Sequence, residues 1–358
     1  MHRIDFTLLG TIVLLVLFGL LMIYDTSSFI AFRDFGDKYH YFKDQLVWIL
    51  LGMMSMTFFS FFDYHKFYNL AIPILITAIV LLLLVFIPGI GLHLLGASRW
   101  IRLGPFSLQP AEFVKLALAI YLSAWFSTKE KGRMRAFLLL LGLVLFLVML
   151  EPDMGTASII LFEALAVYFL SGGSIMSLLG IVPVLLVGGF ILIKLEPYRA
   201  QRLTTFLNPN QSIETSSYHI KQILIALGMG GLTGVGLGNS LQKFAYLPEN
   251  TTDSIFAIIG EEFGFLGTTI LICFFMVYIW RGLVIARRAK DPFGRLLAGA
   301  IISFLAIQTI INLGAQTVLI PLTGVPLPFI SYGGSALIVD LSAIGILLNI
   351  GKQGQIHI

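Results

Sequence analysis

Residues 70–87 read LAIPILITAIVLLLLVFI, a run that contains no charged side chain. Its length is close to the ~20 apolar residues that a helix needs to cross the ~30 Å hydrocarbon core of a bilayer. Residues 175–193, IMSLLGIVPVLLVGGFILI, form a second run of the same kind. Two such runs in one chain indicate a protein that crosses the membrane more than once.

The composition of the whole chain agrees with this interpretation. Of 358 residues, 58% are hydrophobic and 12% are charged, whereas a soluble domain carries roughly 45–50% apolar and about 25% charged residues. So few charges cannot cover the surface of a soluble globule, which excludes a soluble enzyme, a disordered chain and a coiled coil. The single cysteine, Cys273, excludes an intramolecular disulfide and a Cys-based zinc site.

We therefore expect an all-α, polytopic membrane protein that forms one integral domain over residues 1–358. The first apolar run has no cleavage site after it, so it is interpreted as a retained span. The ten candidate spans lie at about 7–24, 45–62, 70–88, 111–126, 136–150, 156–171, 175–193, 255–280, 296–317 and 335–350.

Lys and Arg in the short loops predict the orientation. One basic loop, residues 127–135, holds four of them, and another, residues 281–295, holds five. Because four candidate spans separate these loops, both lie on the same face, which is cytoplasmic by the positive-inside rule. Both termini are then cytoplasmic. The outer face carries three notable loops, at residues 88–110, 194–254 and 318–334.

The longest outer loop contains apolar residues at helical spacing, which predicts an amphipathic helix at the membrane interface. These residues are Ile220, Ile223, Leu224 and Leu227. The sequence Gly234-Val-Gly236-Leu-Gly238 follows. No strand–helix unit surrounds it, so it indicates close helix packing or a tight turn rather than a nucleotide site.

Several polar residues lie inside candidate spans, where a charge costs about 2.5–3.5 kcal/mol on insertion scales. Glu112 and Lys115 share one helical face, either as a self-neutralising pair or as the floor of a polar cavity. Glu163 has no local partner and requires an interhelical partner or a proton. Gln308 begins a polar stripe at four-residue spacing, which suits interhelical hydrogen bonding or cavity lining. Asn312 and Gln316 complete the stripe.

Acidic residues also mark the outer ends of spans. Glu151 and Asp153 flank Pro152, where two carboxylates could bind a cation or Asp153 could cap the next helix. Asp253 separates the long outer loop from an apolar run. This position suits an N-cap or a catalytic carboxyl group. The sequence establishes no cofactor and leaves the use of a divalent cation open.

Cations on the outer face are not explained by the positive-inside rule, so they contact lipid headgroups or hold a phosphate or pyrophosphate. In the long loop they are Lys194, Arg199, Arg202, Lys221 and Lys243, and in the first outer loop Arg99 and Arg102 flank Trp100.

Four motifs follow one another in the outer loops. The first is Gly96-Ala-Ser-Arg99-Trp100-Ile-Arg102 with Gln109-Pro110-Ala-Glu112-Phe-Val-Lys115, and the second is Glu151-Pro-Asp153-Met-Gly155-Thr. The third runs from Tyr218 to Gly238 with Lys243, Leu247-Pro248-Glu249, Thr252-Asp253 and Glu261-Glu262-Phe-Gly264. The fourth is Pro326-Leu-Pro328-Phe-Ile-Ser331-Tyr332-Gly333-Gly334-Ser335. Together they resemble the signatures of the SEDS family (shape, elongation, division and sporulation).

The resemblance implies a peptidoglycan glycosyltransferase that polymerises lipid II on the outer face of the bacterial cytoplasmic membrane. It implies a class B penicillin-binding protein as partner, with no role for nucleic acid. Asp253 matches the family's essential acid. The outer motifs imply a substrate site that includes Arg99, Trp100, Glu112, Lys115, Asp153, Arg199, Arg202, Lys243, Gln308 and Ser331.

Details of the motifs resemble the division member FtsW more than the elongation member RodA, with the spore-cortex member equally close. Two positions depart from the family's pattern, namely Ser254 in place of the usual Phe and Ser98 in place of a frequent cation. A lipid flippase or small-solute transporter, and a non-catalytic scaffold, are the competing interpretations.

Overall fold

The computed structural model describes residues 4–94, 97–104, 106–128, 133–195, 197–207, 215–244 and 246–354. Its helices are α1 (Phe6–Phe35), α2 (His40–Phe61), α3 (Lys66–Leu84), α4 (Pro110–Phe126), α5 (Met134–Leu150), α6 (Met154–Leu170), α7 (Ile175–Leu195), α8 (Pro197–Leu207), α9 (Thr215–Gly230), α10 (Ile255–Arg288), α11 (Pro292–Gln316) and α12 (Gly334–Gln353). The strands are β1 (Gly91–Leu94), β2 (Ala97–Leu103) and β3 (Phe106–Leu108).

The expected helical membrane fold is confirmed. Among the described residues, six helices are long and apolar enough to cross a bilayer: α1, α2, α3, α10, α11 and α12. Helices α5 and α6 are apolar but shorter. Each candidate span overlaps a helix, yet the count of ten spans stays a prediction, as does the single-domain division.

Helices α11 and α12 form the centre of the molecule. They are the most deeply buried of the six long helices, and α2, α4, α6 and α10 pack around them. Close approach requires glycine at some crossings: a Cβ on Gly345 of α12 would lie 2.4 Å from the Met56 carbonyl oxygen of α2. The polar stripe on α11 is therefore buried in protein rather than exposed to lipid.

Helix α1 extends further than the sequence predicts, ending at Phe35 rather than near residue 24. The part beyond residue 24 contains Asp25, which forms an ion pair with Lys243 of the long loop at 2.8 Å. A hydropathy pattern detects only the apolar part of a helix that faces lipid. The polar part of α1, which is stabilised by contacts with other protein segments, is therefore missing from the predicted span.

Residues 88–110 contain the one β structure of the described chain, an antiparallel sheet in the order β1-β2-β3. Ile101 pairs with Leu108 in this sheet. The all-α expectation did not include it, because strands as short as three to seven residues carry too little alternation to be recognised.

Helix α10 is broken at Gly264, which has φ 66° and ψ −164°. The glycine-rich segment 231–236 lies along the break: the Val235 amide donates to the Glu261 carbonyl at 3.0 Å, and the Phe265 amide donates to the Gly231 carbonyl at 2.9 Å. These bonds satisfy backbone groups freed by the break, which is essential at membrane depth. Close packing, as predicted for this glycine motif, is confirmed.

Long-range contacts assign the two ends of the molecule. The Arg281 guanidinium binds the Asp5 carboxylate, so the start of α1 and the second basic loop lie together. A Cβ on Gly354 would lie 3.0 Å from the Arg288 carbonyl oxygen, which brings the end of α12 to the same place. The turn containing Asp253 lies at the other end of α10.

Candidate functional site

Asp253 lies in the turn immediately before α10 and remains partly exposed. The N-cap of α10 is Ser254, so the expectation that Asp253 acts as an N-cap is wrong and its carboxyl is available for another role. The Thr252 hydroxyl donates to its Oδ1 at 3.0 Å. Burial, followed by the nearby Glu249, raises the pKa of Asp253 to about 6. A carboxyl with this pKa is ionised at neutral pH yet more basic than an ordinary aspartate.

Two side chains hold the backbone of this turn. The Asn312 amide donates to the carbonyl oxygens of Asp253 at 2.9 Å and Val325 at 2.8 Å. The Ser331 hydroxyl donates to the Thr252 carbonyl and accepts from the Leu327 amide at 2.8 Å. Ser331, predicted to bind substrate, therefore has its hydroxyl engaged in positioning the loop.

Arg202 of α8 lies within electrostatic range of the carboxyl. One of its guanidinium nitrogens donates to the Leu322 carbonyl at 2.8 Å, and its charge lowers the pKa of Asp253. The loop that it binds also approaches the acid, since a Cβ on Gly324 would lie 3.9 Å from Asp253 Oδ2. Arg199 lies on the same helix, but its side chain is outside the described part of the structure.

Glu112, Lys115 and Gln308 form a buried network behind this loop. The Lys115 ammonium, which is 0% exposed, lies 2.8 Å from Glu112 Oε2 and donates to Gln308 Oε1 at 2.6 Å. The Gln308 amide donates to the Pro326 carbonyl at 3.1 Å. The pairing expected from the sequence is confirmed, and the network connects α4 to the loop that surrounds Asp253.

Asp153 caps α6, as one of the two sequence interpretations predicts. Its carboxylate accepts from the Thr156 amide at 2.9 Å and the Thr156 hydroxyl at 2.8 Å, and from the Gln109 amide at 3.2 Å. The neighbouring Glu151 is fully buried, and burial raises the pKa of its carboxyl to about 9. Glu151 is therefore protonated at neutral pH and is a poor cation ligand.

Arg99 and Trp100 both lie in strand β2. Arg99 donates to the carbonyl oxygens of Glu151 at 2.8 Å and Pro152 at 2.6 Å, which fixes the turn before α6. Trp100 lies in β2, opposite Leu92. Their predicted contacts with substrate are untested, and the geometry of Arg99 favours a structural role.

Lys243 is also engaged within the protein. Its ammonium donates to Asp25 Oδ1 at 2.8 Å and to Glu262 Oε1 at 3.0 Å, and the residue is 5% exposed. The predicted role at a pyrophosphate stays untested, but these contacts favour a role in fixing the long loop to α1 and α10. Arg202, by contrast, acts electrostatically on Asp253.

Sequence reasoning did not single out His219 or Asp340. His219 Nε2 lies 2.7 Å from the hydroxyl of Ser254, the residue after the acid. The third motif contains His219, but nothing in the sequence pairs it with Ser254 across α9 and α10. Asp340 of α12 is buried within electrostatic range of Lys115, as is Glu163. Glu163 finds no hydrogen-bond partner among the described residues. That described part contains no cluster of three His, Cys, Asp or Glu suited to a metal ion.

Comparison with known proteins adds an independent observation. A family model described as "Cell cycle protein" and named after FtsW, RodA and SpoVE matches residues 6–356. The chain belongs to this FtsW/RodA/SpoVE family.

Relatives of the FtsW/RodA/SpoVE family resemble the chain over nearly its whole length. Stage V sporulation protein E of Bacillus subtilis is 40% identical over 98% of both chains. A probable peptidoglycan glycosyltransferase FtsW of Geobacter metallireducens is 39% identical over 98% of this chain and 96% of the relative. These two identities do not separate a division role from a sporulation role.

Solved structures of the family have the same fold. A chain from a peptidoglycan synthase complex, whose description is the structural coordination of polymerization and crosslinking, has a TM-score of 0.82 and 26% identity over 98% of both chains. Rod shape determining protein RodA of Thermus thermophilus has a TM-score of 0.72 and 25% identity, again over 98% of both chains. The resemblance drawn from the four motifs is thereby confirmed.

Proposed function

We propose that the protein is a peptidoglycan glycosyltransferase that polymerises lipid II into β-1,4 glycan strands, with Asp253 as general base. The observation that carries this proposal is the geometry of Asp253: a partly exposed residue, held through its backbone by Asn312 and within electrostatic range of the Arg202 guanidinium. Family membership over residues 6–356 supports the same activity.

The proposed reaction requires a base and a stabilised leaving group. The donor sugar is linked α to a lipid pyrophosphate and the product is β, so the reaction inverts in a single displacement. The acceptor hydroxyl oxygen forms a bond to the anomeric carbon, its proton passes to Asp253, and the bond to the pyrophosphate breaks. An ionised carboxylate with a pKa of about 6 can accept that proton near neutral pH.

Arg202 is our candidate for stabilising the departing pyrophosphate. Charge stabilisation at a leaving group is often the largest single catalytic contribution, and a guanidinium fork matches phosphate oxygens better than a compact ammonium. Arg202 lies on the same outer loop as the base. Arg199, three residues earlier on α8, is the second candidate. A requirement for a divalent cation stays open to measurement.

The proposal places the site on the outer face of the bacterial cytoplasmic membrane, with both termini in the cytoplasm. The two basic loops support this orientation. Both donor and acceptor carry lipid anchors, which explains why a polymerase would be built from membrane helices. We further propose a class B penicillin-binding protein as partner and a role in cell division, with elongation as the alternative.

The test is polymerisation of purified lipid II by the purified wild-type protein and by Asp253→Asn. Loss of a general base lowers rates by about 10²–10⁴-fold, so we expect no polymer from the variant at wild-type levels of folded protein. Glu249→Gln is the matched control at a pH well above the pKa of Asp253, because Glu249 is an exposed acid in the same loop. Polymer of normal length from Asp253→Asn would overturn the assignment.

A flippase is the competing function, because buried polar residues on α4, α6 and α11 also suit a permeation path. The same purified protein in liposomes discriminates between the two. A polymerase consumes lipid II without moving it across the bilayer, whereas a flippase exchanges it between leaflets and forms no polymer.

A further inference from the structure

The residue that follows Asp253 is tied to a different helix. Ser254 is fully buried, and its hydroxyl lies 2.7 Å from Nε2 of His219 on α9. Its own backbone amide donates to the Glu249 carbonyl at 3.0 Å. A buried hydroxyl with a defined partner restricts both groups, because breaking the bond leaves a polar atom unsatisfied.

Helix α9 is fixed against α10 at a second point. A Cβ on Gly230 would lie 2.0 Å from the Gly260 carbonyl oxygen, so the two backbones are in direct contact there. Between these points, Ile220 and Ile223 of α9 are buried. The His219–Ser254 bond therefore secures one end of a packed face whose other end is secured by backbone contact.

The imidazole is suited to a neutral hydrogen bond. Burial, and then the charge of Arg202, lowers the pKa of His219 to about 4, so the ring is uncharged at neutral pH. A neutral ring adds no positive charge that would compete with Arg202 for the carboxylate. Its Nε2 either donates to the hydroxyl or accepts from it, depending on the tautomer.

We propose that His219 is a positioning residue for Asp253, acting through its hydrogen bond to Ser254. The turn at Asp253 is then held on two sides: Asn312 of α11 binds the Asp253 carbonyl at 2.9 Å, and His219 of α9 binds the next side chain. This inference rests on the proposed role of Asp253 as base. Displacement of a catalytic group by about 1 Å can cost up to 10²-fold in rate.

The experiment measures kcat and KM for lipid II polymerisation by His219→Ala, Ser254→Ala and the double variant. We expect kcat to fall about 10- to 100-fold in each single variant with KM little changed. The double variant should be no slower than the slower single variant, because both changes remove the same bond. Gln222→Ala on the same helix is the control and should behave as wild type.

A pair of conservative variants separates positioning from general packing. The amide nitrogen of Gln reaches about as far as Nε2 of His, whereas that of Asn reaches only as far as Nδ1. His219→Gln should therefore recover most of kcat and His219→Asn should not. Rates are expressed per folded protein from gel filtration, so the comparison remains informative if the Ala variants fold poorly.

Two outcomes would overturn the inference: wild-type kcat in His219→Ala, or equal activity of the Gln and Asn variants. If these occur while Asp253→Asn is inactive, the proposed function survives and only the positioning role falls. An active Asp253→Asn variant would instead remove the proposed function itself.

Discussion

The pKa of Asp253 sets the pH range over which the proposed base can work. The reactive form is the carboxylate, so kcat/KM should fall as the pH drops through about 6 and level off above it. The Thr252 hydroxyl lowers this pKa and Glu249 raises it. Thr252→Val should therefore shift the fall in kcat/KM to higher pH, and Glu249→Gln should shift it to lower pH.

This prediction is checked by measuring kcat/KM from about pH 5 to pH 8 for the three proteins. Because Glu249 is exposed, its effect is screened by salt and should shrink at high ionic strength. A wild-type kcat/KM that does not fall at the acidic end of this range would contradict the assignment of Asp253 as base.

Glu112 and Lys115 should behave as one unit. Each single change, Glu112→Gln or Lys115→Met, removes one partner of a buried ion pair, and such a break costs about 3–5 kcal/mol. The double variant leaves neither charge and should lose less than the sum of the two. Melting temperatures in detergent measure the stability lost by each single variant and by the double variant. If the two single losses add up to the double loss, the 2.8 Å contact contributes no coupling.

At the scale of the element, the break in α10 depends on one glycine. Gly264 has a positive φ with an extended ψ, a region essentially restricted to glycine, and a Cβ there would lie 2.3 Å from the Gly234 nitrogen. Gly264→Ala should therefore destabilise the protein by at least about 1–3 kcal/mol.

The control for this variant is Gly142→Ala on α5, where a Cβ would have no neighbour within 4 Å. Its melting temperature should match that of wild type, whereas Gly264→Ala should melt lower in the same detergent. A Gly264→Ala protein as stable as Gly142→Ala would mean that the segment 231–236 does not constrain the break.

At the scale of the whole molecule, the contacts between Arg281 and Asp5 and between Gly354 and Arg288 bring both described ends to one face. If that face is cytoplasmic, the turn with Asp253 faces outward. A cysteine introduced at Glu249 in a Cys273→Ser background should react with a membrane-impermeant maleimide on intact cells. A cysteine at Arg135 should react only after permeabilisation, and the opposite pattern would reverse the orientation.

The sequence by itself determined the features that depend on the bilayer and on neighbouring residues. A long apolar run must become a helix, because no water in the hydrocarbon core can satisfy its backbone; residues 70–87 therefore specify α3 over most of its length. The pairing of Glu112 with Lys115 is equally local, since residues three apart share a helical face. The four motifs likewise identified the family before any contact was known.

Only the tertiary structure decided which polar groups meet across the chain. Lys243 is paired with Asp25, 218 positions away, and so is held in a cluster with acids of α1 and α10. His219 meets Ser254 across 35 positions, and the break in α10 is satisfied by segment 231–236. Such contacts follow from helix packing rather than from spacing along the chain. Local periodicity carries no information about them, because it describes one helix at a time.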